Sequence, residues 1–163
     1  MEKINKIVAF CVLSFVVLFG VWQFKFSSGK KYNLPEEVEL LSISDKIYLK
    51  EKYFDNSPKV VVYLYDDCMH LLQLWKPYIE KYSDIRFVFY INSVKKDKIR
   101  EQLRYYKFKY PVFWDSKGQF AKSNSLPKEI AFISYILNGD DELISTRNPT
   151  YGDYEVYLKQ VLD

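Results

Sequence analysis

The order of apolar segments predicts an α/β domain, a mixed β-sheet flanked by helices, preceded by one N-terminal transmembrane helix. Three observations carry this. Ile7–Phe24 is an apolar run without a charge. Lys59–Tyr65 (KVVVYLY) and Ile85–Ile91 (IRFVFYI) are β-branched and aromatic throughout, the pattern of strands covered on both faces. Between them, Leu71, Leu72, Trp75, Tyr78, Ile79 and Tyr82 recur at spacings of three and four, which makes Cys68–Tyr82 a helix with one apolar face.

Residues 1–29 read as an anchor or signal segment with a short tether, and residues 30–163 as one folded domain. About eighteen residues at 1.5 Å each give about 27 Å, close to the hydrocarbon thickness of a bilayer. Two outcomes stay open for this segment. Its length favours an uncleaved anchor, while Ser27-Ser28-Gly29 offers a small-residue cleavage site. Lysines flank both ends, so the positive-inside rule decides little. An N-terminal anchor of this kind commonly exports the domain attached to its C-terminal end. The expectation is therefore a single-pass inner-membrane protein with its C-terminal domain outside the cytoplasm, in the periplasm.

Within the domain, Val38–Leu49 is expected to hold one or two short strands. Asp66 or Asp67 can cap the helix that comes after Lys59–Tyr65, and Pro77 should kink it. Lys95–Lys107 is a second helix with Ile99, Leu103 and Tyr106 on one side. Pro111–Asp115 is a short extended piece stopped by the Ser116-Lys117-Gly118 turn. Ala131–Leu137 and Glu142–Thr146 form a hairpin through Asn138-Gly139-Asp140. Asp153–Leu162 closes the chain as an amphipathic helix with Asp153 as its cap.

Charge and cysteine usage exclude several functions. Three of the 24 Lys+Arg and one of the 21 Asp+Glu precede residue 30, so the domain carries a net charge of only +1. That is no footprint for nucleic acid. The basic residues of Lys95–Lys109 read as the solvated face of a helix. Cys11 lies in the apolar run and Cys68 in the folded region, so the two cysteines are not expected to pair. An aromatic content of 18% gives the domain a core that needs no disulfide. No cofactor and no metal site are expected. Asp66, Asp67, Cys68 and His70 are the one group close enough in sequence to hold a metal, and it is a weak one.

With these elements in place, the chain resembles a known family. KVVVYLYDDCMHLLQLWKPYIEKY is similar to the first strand, active-site turn and first helix of thioredoxin-like proteins. Their C-x-x-C motif opens the helix, with a proline eight residues after the first cysteine. Here Pro77 comes nine after Cys68. YPVFWDSKGQFAKSN and AFISYILNGDDELI resemble later segments of membrane-anchored thioredoxin-like and alkyl-hydroperoxide-reductase-like (redoxin) proteins. The departures fall on the chemistry. Leu71 stands where the second cysteine belongs. Glu129 and Ile130 precede the strand that the family's cis-proline normally precedes. Val61 and Tyr65 occupy the proline and hydroxyl positions of the peroxiredoxin signature.

The resemblance implies that Cys68 is the candidate nucleophilic thiol. His70, the only histidine, sits where oxidising members of the family use one to stabilise the thiolate. A lone thiol can form a mixed disulfide, an adduct or a sulfenic acid, but has no resolving partner. Helix-start placement lowers its pKa, while Asp66 and Asp67 raise it. Two functions are compatible with this. One is a single-cysteine thiol–disulfide or thiol-sensing protein of the envelope, partnered by a protein thiol or disulfide. The other is a non-enzymatic module that binds a protein partner at the membrane surface, to which residues 7–24 attach it.

Overall fold

The computed structural model describes residues 29–44, 46, 48–128 and 130–163. The expected anchor, Ile7–Phe24, lies outside them. Among the described residues no helix is long and apolar enough to cross a membrane.

Six strands form one mixed sheet: β1 (Glu39–Leu41), β2 (Lys59–Tyr65), β3 (Arg86–Asn92), β4 (Val112–Trp114), β5 (Phe132–Leu137) and β6 (Leu143–Ser145), in the order β1-β4-β3-β2-β5-β6. β2 runs parallel to β3 and antiparallel to β5, and β4 is parallel to β3. β3, β2 and β5 thus lie side by side with β2 in the middle, and the Cys68–Tyr82 stretch joins β2 to β3. Val38–Leu49 supplies one strand, β1, antiparallel to β4 at the sheet's edge.

The apolar runs are continuous because both faces are covered. Val60, Val62 and Leu64 of β2 pack against Leu72, Trp75, Ile99, Leu103 and Leu158 from the helices. Val61 and Tyr63 point the other way, into an aromatic layer with Tyr90, Phe113, Phe120 and Tyr135. Period-2 alternation thus serves two cores rather than one core and solvent. In the aromatic layer, Tyr90 stacks on Phe120 with ring centroids 4.8 Å apart. On the helical side, Trp75 donates its indole N–H to the Tyr154 hydroxyl at 3.1 Å.

Three local expectations are corrected. Cys68–Tyr82 is not one kinked α-helix. It is a 3-10 helix, Asp66–Trp75, followed by α1 (Lys76–Lys81). Pro77 falls in the first turn of α1, where its missing N–H needs no partner, so it starts a helix instead of bending one. Neither Asp66 nor Asp67 caps by its side chain. Tyr65 holds the cap position, and both carboxylates turn to Lys98. Asp153 does precede α4 (Tyr154–Gln160), but its carboxylate lies 3.3 Å from Arg147 Nε and not on the helix amides.

The helix α2 (Lys96–Tyr105) buries Ile99 and Leu103 as the spacing predicts. A further helix, α3 (Gln119–Ser123), was not expected. Buried Asp115 starts it: its two carboxylate oxygens accept from Gln119 N at 2.7 Å and Phe120 N at 2.9 Å. Gly118 turns the chain between them at φ 63°, where a Cβ would lie 3.2 Å from the Asn92 side chain.

Candidate functional site

The Cys68 site lies where β2 runs out, at the C-terminal ends of the parallel strands. Crossovers leave and enter at this end, and ligand chemistry in α/β sheets collects there. The 3-10 helix begins directly after Tyr65, so Cys68 is in its first turn. The Tyr65 amide donates to Ala131 O at 3.0 Å, which sets the segment before β5 beside the same strand end. Ser93 and Trp114 come from the ends of β3 and β4. The Trp114 indole donates to Ser93 O at 2.6 Å.

Cys68 carries a free thiol and is half-buried. It packs, with Leu71, against the helical-side core. Burial pushes the thiol up, and the carboxylates of Asp67 and Asp66 push it further in the same direction. Helix-start placement therefore does not prevail here. A 3-10 turn has poorly aligned peptide dipoles, and two carboxylates precede the sulfur. At neutral pH the group is a protonated thiol, a poor nucleophile.

The carboxylates are themselves held. Asp66 Oδ2 accepts from Ser93 Oγ at 3.0 Å and lies 3.1 Å from Lys98 Nζ. Lys98 also reaches Asp67 Oδ1 at 3.0 Å. Burial raises the Asp66 carboxyl, but the hydrogen bonds from Lys98 and Ser93 and the lysine's charge outweigh it, so Asp66 titrates below the usual carboxylate range. Lys98 and Ser93 were missed from sequence, where Lys98 counted only as part of a solvated basic face. The available signal was the pair Asp66-Asp67 at a strand end, which needs a cation from a neighbouring element.

His70 is on the same 3-10 helix and exposed, while Met69 beside it is fully buried. The structure thus places Asp66 and Asp67 on one lysine, leaves Cys68 under the influence of both carboxylates, and turns His70 to solvent. Among the described residues no group of three or more His, Cys, Asp or Glu is arranged to hold a metal.

Solved structures with this architecture include a protein assigned as thiol:disulfide interchange protein DsbE from Chlorobium tepidum. It matches with a TM-score of 0.63 and 14% identity over 84% of this chain and 99% of that one. The fold is thioredoxin-like. A thioredoxin-like protein solved in its oxidized form matches at TM-score 0.58 and 14% identity, covering 85% of this chain and 97% of the other. A cysteine-to-serine variant of PrxQ from Xylella fastidiosa matches at 0.54 and 14%, over 82% and 94%. No protein-family model and no curated protein matches the chain. At such identities the likeness is one of fold, and the chemistry must be argued from the site.

Proposed function

We propose that this chain is a membrane-tethered thioredoxin-fold protein, facing the periplasm, that engages a protein partner at its Cys68 end without turning over disulfides. The observation that carries the reading is the Cys68 turn itself. Its thiol is pushed up by burial and two carboxylates, and Leu71 stands where a resolving thiol would be. The thiolate of Cys68 can attack a partner disulfide. The partner S–S bond then breaks, a Cys68–partner S–S bond forms, and the partner's second sulfur leaves as thiolate. No thiol near Cys68 among the described residues can attack the new bond, so the complex is an end point. The solved neighbours, several of them thiol–disulfide proteins by name, support the redox ancestry of the site. Residues 7–24 are the proposed attachment to the membrane.

The purely non-covalent module is the second reading, favoured by the same raised thiol. The test is reduction of an insulin-type substrate by the wild type, Cys68→Ser and Leu71→Cys. The expected result is no multiple turnover by the wild type, with at most one thiol consumed per chain and none in Cys68→Ser. Robust wild-type turnover would show that a partner supplies the missing thiol and would overturn the proposal.

A further inference from the structure

The end of the sheet opposite Cys68 holds a cavity of about 570 Å³, within the range of roughly 300–1,000 Å³ typical of small-ligand sites. Its floor is apolar: Ile79, Ile85, Phe87 and Phe89. Tyr48, Tyr53, Tyr82 and Tyr110 also line it. Arg86 lies in the wall, but it is already neutralised by Asp55 at 3.0 Å.

The rim is cationic. Lys46 and Lys52 line the mouth, and both are exposed. Lys109, also exposed, stands beside it, because the Tyr48 hydroxyl donates to Lys109 O at 3.1 Å and ties the two segments together. Among the described residues none of these three lysines is in an ion pair, whereas Lys81, Lys96 and Lys98 are. Among the described residues the acidic groups nearby are Glu51, Asp55, Glu80 and Asp84; Asp55 is held by Arg86, and Glu80 accepts from Tyr110 at 2.9 Å. An apolar floor with exposed, unpaired lysines at its mouth among the described residues, and tyrosines between, is complementary to an anionic amphiphile.

The chain's own entry point indicates where such a molecule comes from. Gly29 N donates to Leu143 O and Leu143 N to Lys30 O, which places Gly29 and Lys30 beside the start of β6. Leu143 pairs with Leu137, and Leu137 with Lys59, the first residue of β2. Lys59 pairs in turn with Arg86 of the cavity wall. The tether therefore joins the domain at the cavity's end of the sheet, about four strand spacings or roughly 19 Å away. Cys68 lies beyond the far end of β2, some 23 Å off. The four residues between Phe24 and Gly29 make five Cα steps, at most about 17 Å, so a domain tethered through residues 7–24 keeps Gly29, at the cavity's end of the sheet, near the lipid surface.

We infer that this cavity is a membrane-facing site for an anionic phospholipid, its head on Lys46 and Lys52 and part of one acyl chain over Ile79, Phe87 and Phe89. The inference rests on the tether proposed above. It deepens that reading by orienting the domain with Cys68 away from the bilayer, toward a soluble partner.

The test uses the full chain in nanodiscs of phosphatidylcholine doped with a phosphatidylglycerol carrying a photoreactive group on its acyl chain. Peptides containing Ile79–Phe89 or Tyr110 are expected to be labelled, and about 10 mM inorganic phosphate, enough to saturate weak anion sites, should not compete. The double variant Lys46→Glu/Lys52→Glu should cut this labelling about ten-fold, because each cation near an anionic leaflet contributes several-fold in affinity. Ile79→Trp, which fills the cavity without touching the rim charges, should do the same. Labelling confined to residues 7–24, equal labelling from a photoreactive phosphatidylcholine, or suppression by phosphate would overturn the inference. Recovery of the chain off the nanodisc would overturn the tether instead. Labelling from phosphatidylglycerol vesicles would then decide the cavity alone, sustaining it if present and overturning it if absent.

Discussion

Strand β2 meets a charge at each end, and the two ends treat it differently. At its start Lys59 is 1% exposed, although it is a lysine. Its ammonium reaches Asp55 O at 2.6 Å, Ser57 O at 3.1 Å and Asp141 Oδ1 at 2.8 Å. Past its other end Asp66 and Asp67 share Lys98, but Asp67 and Lys98 remain open to water. The first end is a lock: a buried charge with its partners built in, closing the Asn138–Glu142 hairpin onto the segment before β2. The second is a half-open cluster whose charges set the properties of a neighbouring thiol. The charges that act on Cys68 therefore sit in the more open of the two clusters.

The largest effect should come from the lock. Lys59→Ala removes one partner of a buried pair and leaves two carbonyls and Asp141 without their cation, which should cost about 3 kcal/mol. The readout is a lower urea midpoint with the slope unchanged. Lys59→Met together with Asp141→Asn should recover part of the loss, since no buried charge is then left alone. A loss no larger than that of an exposed lysine such as Lys107→Ala would remove the distinction between the two ends.

Asp115→Ala should be next. Asp115 is fully buried and satisfies two amides of α3, which carries Phe120 into the aromatic layer. The expected loss is about 2 kcal/mol by denaturant unfolding.

Acid should act on a carboxylate at each end. Asp66, and Asp55 at the cavity, both titrate below the usual carboxylate range. For Asp55 burial opposes this, but the hydrogen bonds from Ser57 and Arg86 and the arginine's charge prevail. A carboxyl held down in the folded state contributes stability that is complete above about pH 4 and is lost as pH falls through its folded value. Asp66→Asn should therefore flatten the acid limb of the stability profile. An unchanged acid limb would mean that the Asp66–Lys98 contact does not hold in solution.

The sheet was legible in the sequence because β2, β3 and β5 bury both faces and so read as uninterrupted apolar runs. The Asn138-Gly139-Asp140 turn was legible because its chemistry is local. Helix α3 was not. Its single turn and a half buries one large side chain, Phe120, and its start depends on Asp115, whose carboxylate reads as a strand terminus until the chain folds back. The site was half legible. Cys68 and its carboxylates are contiguous, but Lys98 arrives from a helix about thirty residues later, and no local pattern shows which lysine of a basic face turns inward. The 3-10 geometry was hidden for a similar reason: spacings of three and four do not separate it from an α-helix.

The smallest effect sharpens the comparison most, because it reads the half-open end directly. The rate of Cys68 alkylation tracks the thiolate fraction, so its rise with pH locates the thiol's titration. In the wild type the midpoint should lie above the ordinary thiol value of about 8.5, because burial and then Asp67 and Asp66 disfavour the thiolate. Asp67→Asn removes the negative charge that acts more strongly on the thiol and should lower the midpoint. Lys98→Ala should move it the other way, since the lysine partly neutralises both carboxylates. His70→Ala discriminates between two origins of the site. An exposed histidine with no part in the cluster leaves the midpoint where it was. If its removal raises the midpoint as far as Lys98→Ala does, His70 stabilises the thiolate as its place in the turn implies. The Cys68 end would then be a muted redox site and not only a docking surface.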